Sequence, residues 1–282
     1  MNANDRTFGV ELETVAPDSA VRNHGLRIGP YKRGIQVPYL PAGWTAEADG
    51  SIDNSAGGHK CEIVSPILKG EAGLLQVAEV LRILEAKGHR VNFSTAVHVH
   101  CGWDRTLPSE ALARLITIVA YVEKGLYAIT GSKSRERGIY CGGVRKYGNT
   151  KDAKDKIDRE RYHALNLTNL ARGTKDTVEF RVFSGSLNAT KVVGWVMVCL
   201  GLVERAISGK RQPTWSPKPL TGGWKKAGEG QSEAERLMGY LAWGAGYARI
   251  HGRQYGWISD AIPQDEIKAE FRRLAKKYDE QA

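Results

Sequence analysis

The sequence predicts an α+β protein, a mostly antiparallel sheet with an active site on one face and helices packed on the other. Three observations point there. Strand-like segments with period-two alternation recur, helical segments with apolar residues at 3.6-residue spacing lie between and after them, and the order runs strand, hairpin, helix, strand, helix, strands, helices. At 282 residues and 41% hydrophobic content the chain can supply a full core.

The first strand is TFGVELET (7–14), where Phe8, Val10 and Leu12 share one face and Glu11 and Glu13 the other. WTAEADGSI (44–52) and KCEIVSPIL (60–68) read as a hairpin joined by the turn-rich DNSAGGH. A helix at 71–87 sets Leu74, Leu75, Val77, Ala78, Leu81 and Leu84 at helical spacing and stops at Gly88. VNFSTAVHVHCGW (91–103) is the next strand, and Pro108 opens a helix that runs to about residue 129. ALNLTNL (164–170) and DTVEFRVFSGSL (176–187) follow as strands. Helices are expected at 189–207, near 232–250 and at 264–279, the last with Ile267, Phe271, Leu274 and Tyr278 on one face. The expected organisation is a catalytic core over 1–208, with 209–282 adding a basic loop and C-terminal helices packed on the same domain.

MNANDRT is polar, and the longest apolar stretch, 192–207, is broken by Gly194, Gly201 and Glu204. Neither a signal peptide nor a membrane span is expected, and a cytoplasmic location is. Cys61, Cys101, Cys141 and Cys199 lie far apart with no CxxC pair, which predicts reduced thiols rather than a disulfide framework or a zinc ribbon. The net charge of +10 favours a polyanionic partner: a nucleotide, a nucleic acid or an acidic peptide. Two segments hold +9 of it: 132–161, with ten basic and five acidic side chains, and 209–230, with five and one. Neither has helical or strand periodicity, so both are expected as long loops, either functional lids or solvated surface.

Polar residues fall on one face of the sheet in four strands. Glu11 and Glu13 share a face, Glu62 lies in the apolar KCEIVSP, His98 and His100 share a face of TAVHVHC, and Glu179 and Arg181 share a face of TVEFRVF. One such pair is an ordinary exposed face. Four make a set that is nearly all metal-ligand chemistry, where exposed faces usually mix Thr, Lys, Ser and Gln. Adjacent carboxylates repel unless a cation lies between them. Mg²⁺ and Mn²⁺ take carboxylate oxygens and Mn²⁺ tolerates imidazole, whereas zinc favours His/Cys sets. An excess of Glu with Arg181 two residues beyond Glu179 points to phosphoryl transfer.

FGVELET, ADGSI followed by CEIVSPIL, STAVHVHCG, RYHALNL and TVEFRVFSGSLNA, in that order, resemble the signature blocks of the amidoligase family, a branch of the carboxylate-amine ligases that share the glutamine synthetase fold. The resemblance runs from about residue 6 to 200. It implies that ATP and two or three divalent ions bind on the sheet, that a carboxylate is activated as an acyl phosphate, and that an amine displaces phosphate to leave an amide. No GxxxxGK[ST] occurs, so metal and Arg would hold the phosphates. By the same resemblance Glu13 and Glu62 would hold the metal nearer the substrate, and Glu11, His98 and Glu179 the metal bridging the phosphates. His100 would touch phosphate or substrate and Arg181 would brace the transferring group. Asp49 falls where these proteins often carry a further acid. It is either the base for the incoming amine or a turn residue before Gly50. The implied substrates are amino acids, peptides or small metabolites, and some related genes travel with phages.

Arg161, Tyr162 and Asn166, just before a strand, are candidates to order a substrate, although Asn166 equally suits a backbone-satisfying role. Arg145 and Lys146 in the glycine-flanked CGGVRKYG are candidates to close over a triphosphate. Trp215 and Trp224 either stack on a base or sugar or anchor their loop. The charge makes an acidic acceptor attractive, a γ-glutamyl peptide or DNA carrying a modified base. Against the ligase stand a metal-dependent phosphoesterase or nuclease, which needs no ATP, and a non-catalytic nucleic-acid-binding protein, which needs none of the carboxylates. The sequence leaves the oligomeric state open.

Overall fold

The computed structural model describes residues 5–215, 232–241, 243 and 264–281. Its centre is an eight-stranded sheet of β1 (Thr7–Ala16), β2 (Ile35–Gln36), β3 (Thr45–Glu47), β4 (His59–Val64), β5 (Leu68–Lys69), β6 (Ala96–Gly102), β7 (Leu165–Asn166) and β8 (Thr177–Ser184). Seven strands run in the order β2-β3-β4-β1-β6-β8-β7, β5 pairs with the start of β1, and every pairing in the sheet is antiparallel.

The alternation in the sequence becomes two faces of opposite chemistry. On one, Phe8, Val10 and Leu12 of β1, Ile63 of β4, Val97 and Val99 of β6 and Val178, Phe180 and Phe183 of β8 are buried. The helices up to residue 208 are α1 (Asp18–Arg22), α2 (Gly70–Ala86), α3 (Ser109–Ala128), α4 (Lys133–Arg137), α5 (Thr150–Ile157), α6 (Thr168–Ala171) and α7 (Ala189–Ser208); the long α2, α3 and α7 belong to this core, with α7 packed against α2, α3 and β6. Gly88 follows α2 with φ +79°, the left-handed conformation that ends a helix and that glycine adopts without a Cβ penalty. The final helix (Gln264–Asp279) buries Ile267, Phe271, Leu274 and Tyr278 against α3 and α7, so the expected amphipathic face is the packed one. No helix among the described residues is long and apolar enough to cross a membrane. All four cysteines are free thiols, and all are buried.

Several elements depart from the expectation. ALNLTNL is not one strand: β7 covers only Leu165–Asn166, after which Thr168–Ala171 turns into a helix, because the Asn166 carboxamide accepts the Thr168 N–H at 2.9 Å and closes the backbone into a turn. The segment 132–161 is not a featureless loop. It folds into helices at Lys133–Arg137 and Thr150–Ile157 with 3₁₀ turns at Ile139–Cys141 and Arg145–Tyr147. Asn149 caps the second helix by accepting the Asp152 N–H at 2.9 Å, and Ala153 and Ile157, four residues apart, supply its buried face. The hairpin forms, but β3 stops at Glu47. Of the helix expected near 232–250, Glu233–Tyr240 is helical and the stretch 244–250 lies outside the described residues, as do residues 216–230 of the second basic segment, Trp224 among them. Trp215 packs partly buried against the core, which is the anchoring alternative.

Candidate active site

Antiparallel register sets the second face in rows. Across β1, β4 and β3, Glu13 lies opposite Glu62 and Glu62 opposite Glu47, and Glu11 of β1 lies opposite His98 of β6. His100 lies opposite Glu179, which in turn faces Asn166 on β7. The rows make three overlapping sets whose ligand atoms lie within 4.8 Å of one another: Glu13 with Asp49 and Glu62, Glu11 with Glu62 and His98, and Glu11 with His100 and Glu179. All these side chains are buried except Glu11 and Asp49, which are half-buried.

The grouping differs from the one the resemblance implied. Glu179 joins Glu11 through His100, and His98 sits nearer the middle with Glu62. The reason is register: His100, not His98, is paired with Glu179 across β6 and β8. Of the alternatives raised for Asp49, the turn role is the one seen. Its Oδ1 accepts the Ser51 N–H and hydroxyl at 2.6 Å each, as a turn residue does, and it belongs to the set with Glu13 and Glu62.

Electrostatics are unbalanced along this row. Burial, with Glu11, Glu13, Asp49 and Glu47 close by, pushes the Glu62 carboxyl up to about 10. Glu13 is also raised, by burial and Asp49, against the pull of His98 and the Ala96 N–H that its carboxylate accepts at 2.7 Å. At the other end burial works against ionisation, yet His100 and Arg181 hold Glu179 below the ordinary carboxylate range, and His100 and His98 hold Glu11 well below it. Glu11 and Glu179 in turn raise His100 against the effect of burial. His98 Nδ1 lies 3.4 Å and His100 Nε2 3.1 Å from Glu11 oxygens, but both nitrogens are buried without a hydrogen bond of acceptable geometry. Donor atoms that crowd together without bonding one another are what a shared cation would relieve.

Arg181 pairs with Glu179 at 2.5 Å, and its Nε is a third buried atom without a partner. Asn166 donates to the other Glu179 oxygen at 2.7 Å, so Glu179 is oriented from both sides. Arg161 donates to the Tyr31 hydroxyl at 3.0 Å, a bond spanning 130 residues of sequence. Two cavities flank the row. One, of about 740 Å³, is lined by Glu13, Asp49, His98 and Tyr162. The other, of about 520 Å³, is lined by Glu11, Glu62, His100, Asn166 and Glu179. Tyr31, Asp49, Arg161 and Arg181 line both and mark where they meet.

Arg145 and Lys146 line neither cavity. Their segment is tied down instead: the Glu123 carboxylate accepts the backbone N–H of Val144 and of Arg145, and Lys146 lies over the Tyr147 ring at 5.1 Å. Besides Arg161 and Arg181, the smaller cavity is lined by three basic groups, Lys32, Arg172 and Lys175, the last 3.6 Å from Glu11. Sequence reasoning missed them, and Glu47 and Tyr31 as well. For Glu47 a signal existed, an acid in the strand WTAE at the position facing Glu62; the others come from loops that carry no periodicity.

The sequence matches the model of the family described as "Putative amidoligase enzyme" over residues 4–154 and 144–203. The chain belongs to this amidoligase family. No curated protein matches the amidoligase chain. Among solved structures it is similar to a bifunctional glutathione synthetase from Pasteurella multocida, at 10% identity and a TM-score of 0.44 over 98% of this chain and 47% of that one. It is also similar to a novel glutamine synthase homolog, at 10% identity and 0.43 over 97% and 66%. A third similarity is to the complex between prokaryotic ubiquitin-like protein Pup and its ligase PafA, at 11% identity and 0.44 over 99% and 64%. The amidoligase chain thus spans between about half and two thirds of the length of these chains.

Proposed function

We propose that this amidoligase is an ATP-dependent carboxylate-amine ligase working through an acyl phosphate. The observation that carries the reading is the row of cation-ligand sets between two cavities, with Arg181 on the wall of both. The donors fit Mg²⁺ or Mn²⁺: carboxylates outnumber imidazoles, no thiol takes part, and His98 Nδ1 and His100 Nε2 are buried beside Glu11 without a well-formed hydrogen bond. Glu13 and Glu62 would hold one ion, Glu11, His100 and Glu179 another, with Glu11, Glu62 and His98 as a shared set between them. When bound, such ions neutralise phosphate oxygens and make the γ-phosphorus more electrophilic.

The chain's own groups do the rest. Lys32, Arg172 and Lys175 give the smaller cavity the positive charge a triphosphate needs, and the larger one receives the carboxylate. A carboxylate oxygen attacks the γ-phosphorus and ADP leaves. An amine then attacks the acyl carbon and phosphate leaves. Arg181, fixed by Glu179, offsets charge on the transferring phosphoryl group from a position open to both sides. Asp49, at the edge of the row, would take the proton of the incoming amine. A phosphoesterase needs one substrate cavity and no ATP, so two cavities meeting at Arg161 and Arg181 favour transfer between two bound substrates. No observation favours a DNA acceptor.

The test is ATP binding by thermal shift or calorimetry, with Mg²⁺ or Mn²⁺ and then with EDTA, comparing the natural chain with Glu13→Gln. Metal-dependent binding that the substitution removes is the expected result. Absence of binding with either metal defeats the ligase reading.

A further inference from the structure

Among the described residues seven large apolar side chains are exposed, and four of them, Tyr31, Phe93, Tyr140 and Tyr162, line the single cavity of about 740 Å³. A fifth, Ile139, adjoins Tyr140 in sequence. The rings are connected. Tyr140 and Tyr162 meet edge-on at 5.5 Å, the Arg161 guanidinium lies over Tyr162 at 5.8 Å, and Arg161 donates to the Tyr31 hydroxyl. Phe93, 85% exposed, belongs to the turn at 92–95, which is fastened by the Asn92 amide on the Asp53 carbonyl and the Asp53 N–H on the Ser94 hydroxyl.

Resting on the ligase reading, we infer that the carboxylate substrate is carried on a peptide, whose chain this aromatic rim grips while its carboxylate reaches Arg181. Phosphoryl transfer has no use for these rings, and Phe93 has no polar atom to offer it. A phenylalanine left in water forgoes the gain of burial, which contact with a partner restores. Exposed apolar groups gathered around a polar site, rather than scattered singly, mark a binding surface. The cavity lies within the range of about 300–1,000 Å³ that encloses drug-sized ligands, well beyond the needs of one free amino acid. Asp53, Ser94 and Ser134 line it as well as the rings, which suits a chain presenting both side chains and amide groups. The cationic end, Arg161 and Arg181, matches a carboxylate.

The experiment uses the full chain with ATP, Mn²⁺ and hydroxylamine as a surrogate amine. The probe is a degenerate pool of N-acetyl tetrapeptide amides, each carrying one Glu or Asp, set against free glutamate and free aspartate. A peptide carboxylate takes the γ-phosphoryl group as ADP leaves. The hydroxylamine nitrogen then displaces phosphate and loses a proton, leaving a hydroxamate that is read by colour and mass. Hydroxamate from the pool, with at least tenfold less from the free amino acids, is expected. Phe93→Ser should then raise the half-saturating pool concentration about tenfold, the equivalent of about 1.4 kcal/mol, and leave metal-dependent ATP binding unchanged. Free amino acids activated as well as the pool overturn the inference, as does an unaltered Phe93→Ser. So does ATP binding with metal but no activation of the pool, which leaves the ligase reading standing. Loss of ATP binding itself removes both.

Discussion

Replacing Glu62 by Gln should make the metal-free protein more stable at neutral pH, although it deletes a candidate cation ligand. Glu62 is 5% exposed, with Glu11, Glu13, Asp49 and Glu47 as neighbours, and its carboxyl titrates at about 10 against 4.5 in the unfolded chain. A raised carboxyl means that folding takes up a proton. Stability is therefore full below the unfolded value and is lost as pH rises from about 4.5 towards about 10. At pH 7 the unfolded chain is ionised and the folded chain is not, which costs about 3 kcal/mol at roughly 1.4 kcal/mol per pH unit. Gln mimics the protonated acid and removes that cost. The assay is thermal unfolding in EDTA across pH 4.5 to 8. The two chains should differ by a constant offset near pH 4.5, and Glu62→Gln should gain roughly 8 °C on the natural chain by pH 7. With Mn²⁺ the order should narrow or reverse, because the natural chain exchanges the proton for the ion. A difference in EDTA that stays flat over the whole range refutes the reasoning.

Two further substitutions test how the site and the C-terminal helices are held. Asn166→Ala removes the bond that orients Glu179, and Mn²⁺ affinity by calorimetry should fall by about 10- to 100-fold, the usual effect of losing a group that positions a ligand; an unaltered titration would show that Arg181 alone suffices. Gly125→Ala would put a Cβ 2.9 Å from the Glu233 carbonyl oxygen and 2.9 Å from the Leu237 Cβ, forcing the helix Glu233–Tyr240 off α3. Urea unfolding should register a loss of about 1–3 kcal/mol, and a change under about 0.5 kcal/mol would mean that this helix is not part of the core unit.

What the sequence disclosed was whatever has a period. Glu11, Glu13, His98, His100, Glu179 and Arg181 could be assigned to one face because strands alternate, and Phe8, Val10 and Leu12 to the other for the same reason. Strand order has no period. Only the adjacency of β6 and β8 tells that Glu179 meets His100 before His98, and only β3 beside β4 brings Glu47 against Glu62. The loops were least legible. Tyr31 and Lys32 reach the site from a segment without regular structure, Lys32 with a left-handed φ of 63° and its N–H held by the Glu47 carboxylate at 3.1 Å. In 132–161 charge hid the weak helical signal of Ala153 and Ile157, and the tether of Glu123 to Val144 and Arg145 is a long-range bond no local pattern announces.

The two-faced sheet also bears on how the chain avoids folding wrongly. Shifting β1 by a single residue against its neighbours would turn Glu11 and Glu13 into the layer occupied by α2, α3 and α7, and turn Phe8, Val10 and Leu12 out among the acids. Each misplaced carboxylate would forfeit its hydration without gaining a counter-charge. The residues gathered for chemistry therefore serve as proofreaders of strand alignment, acting during folding, before any substrate arrives.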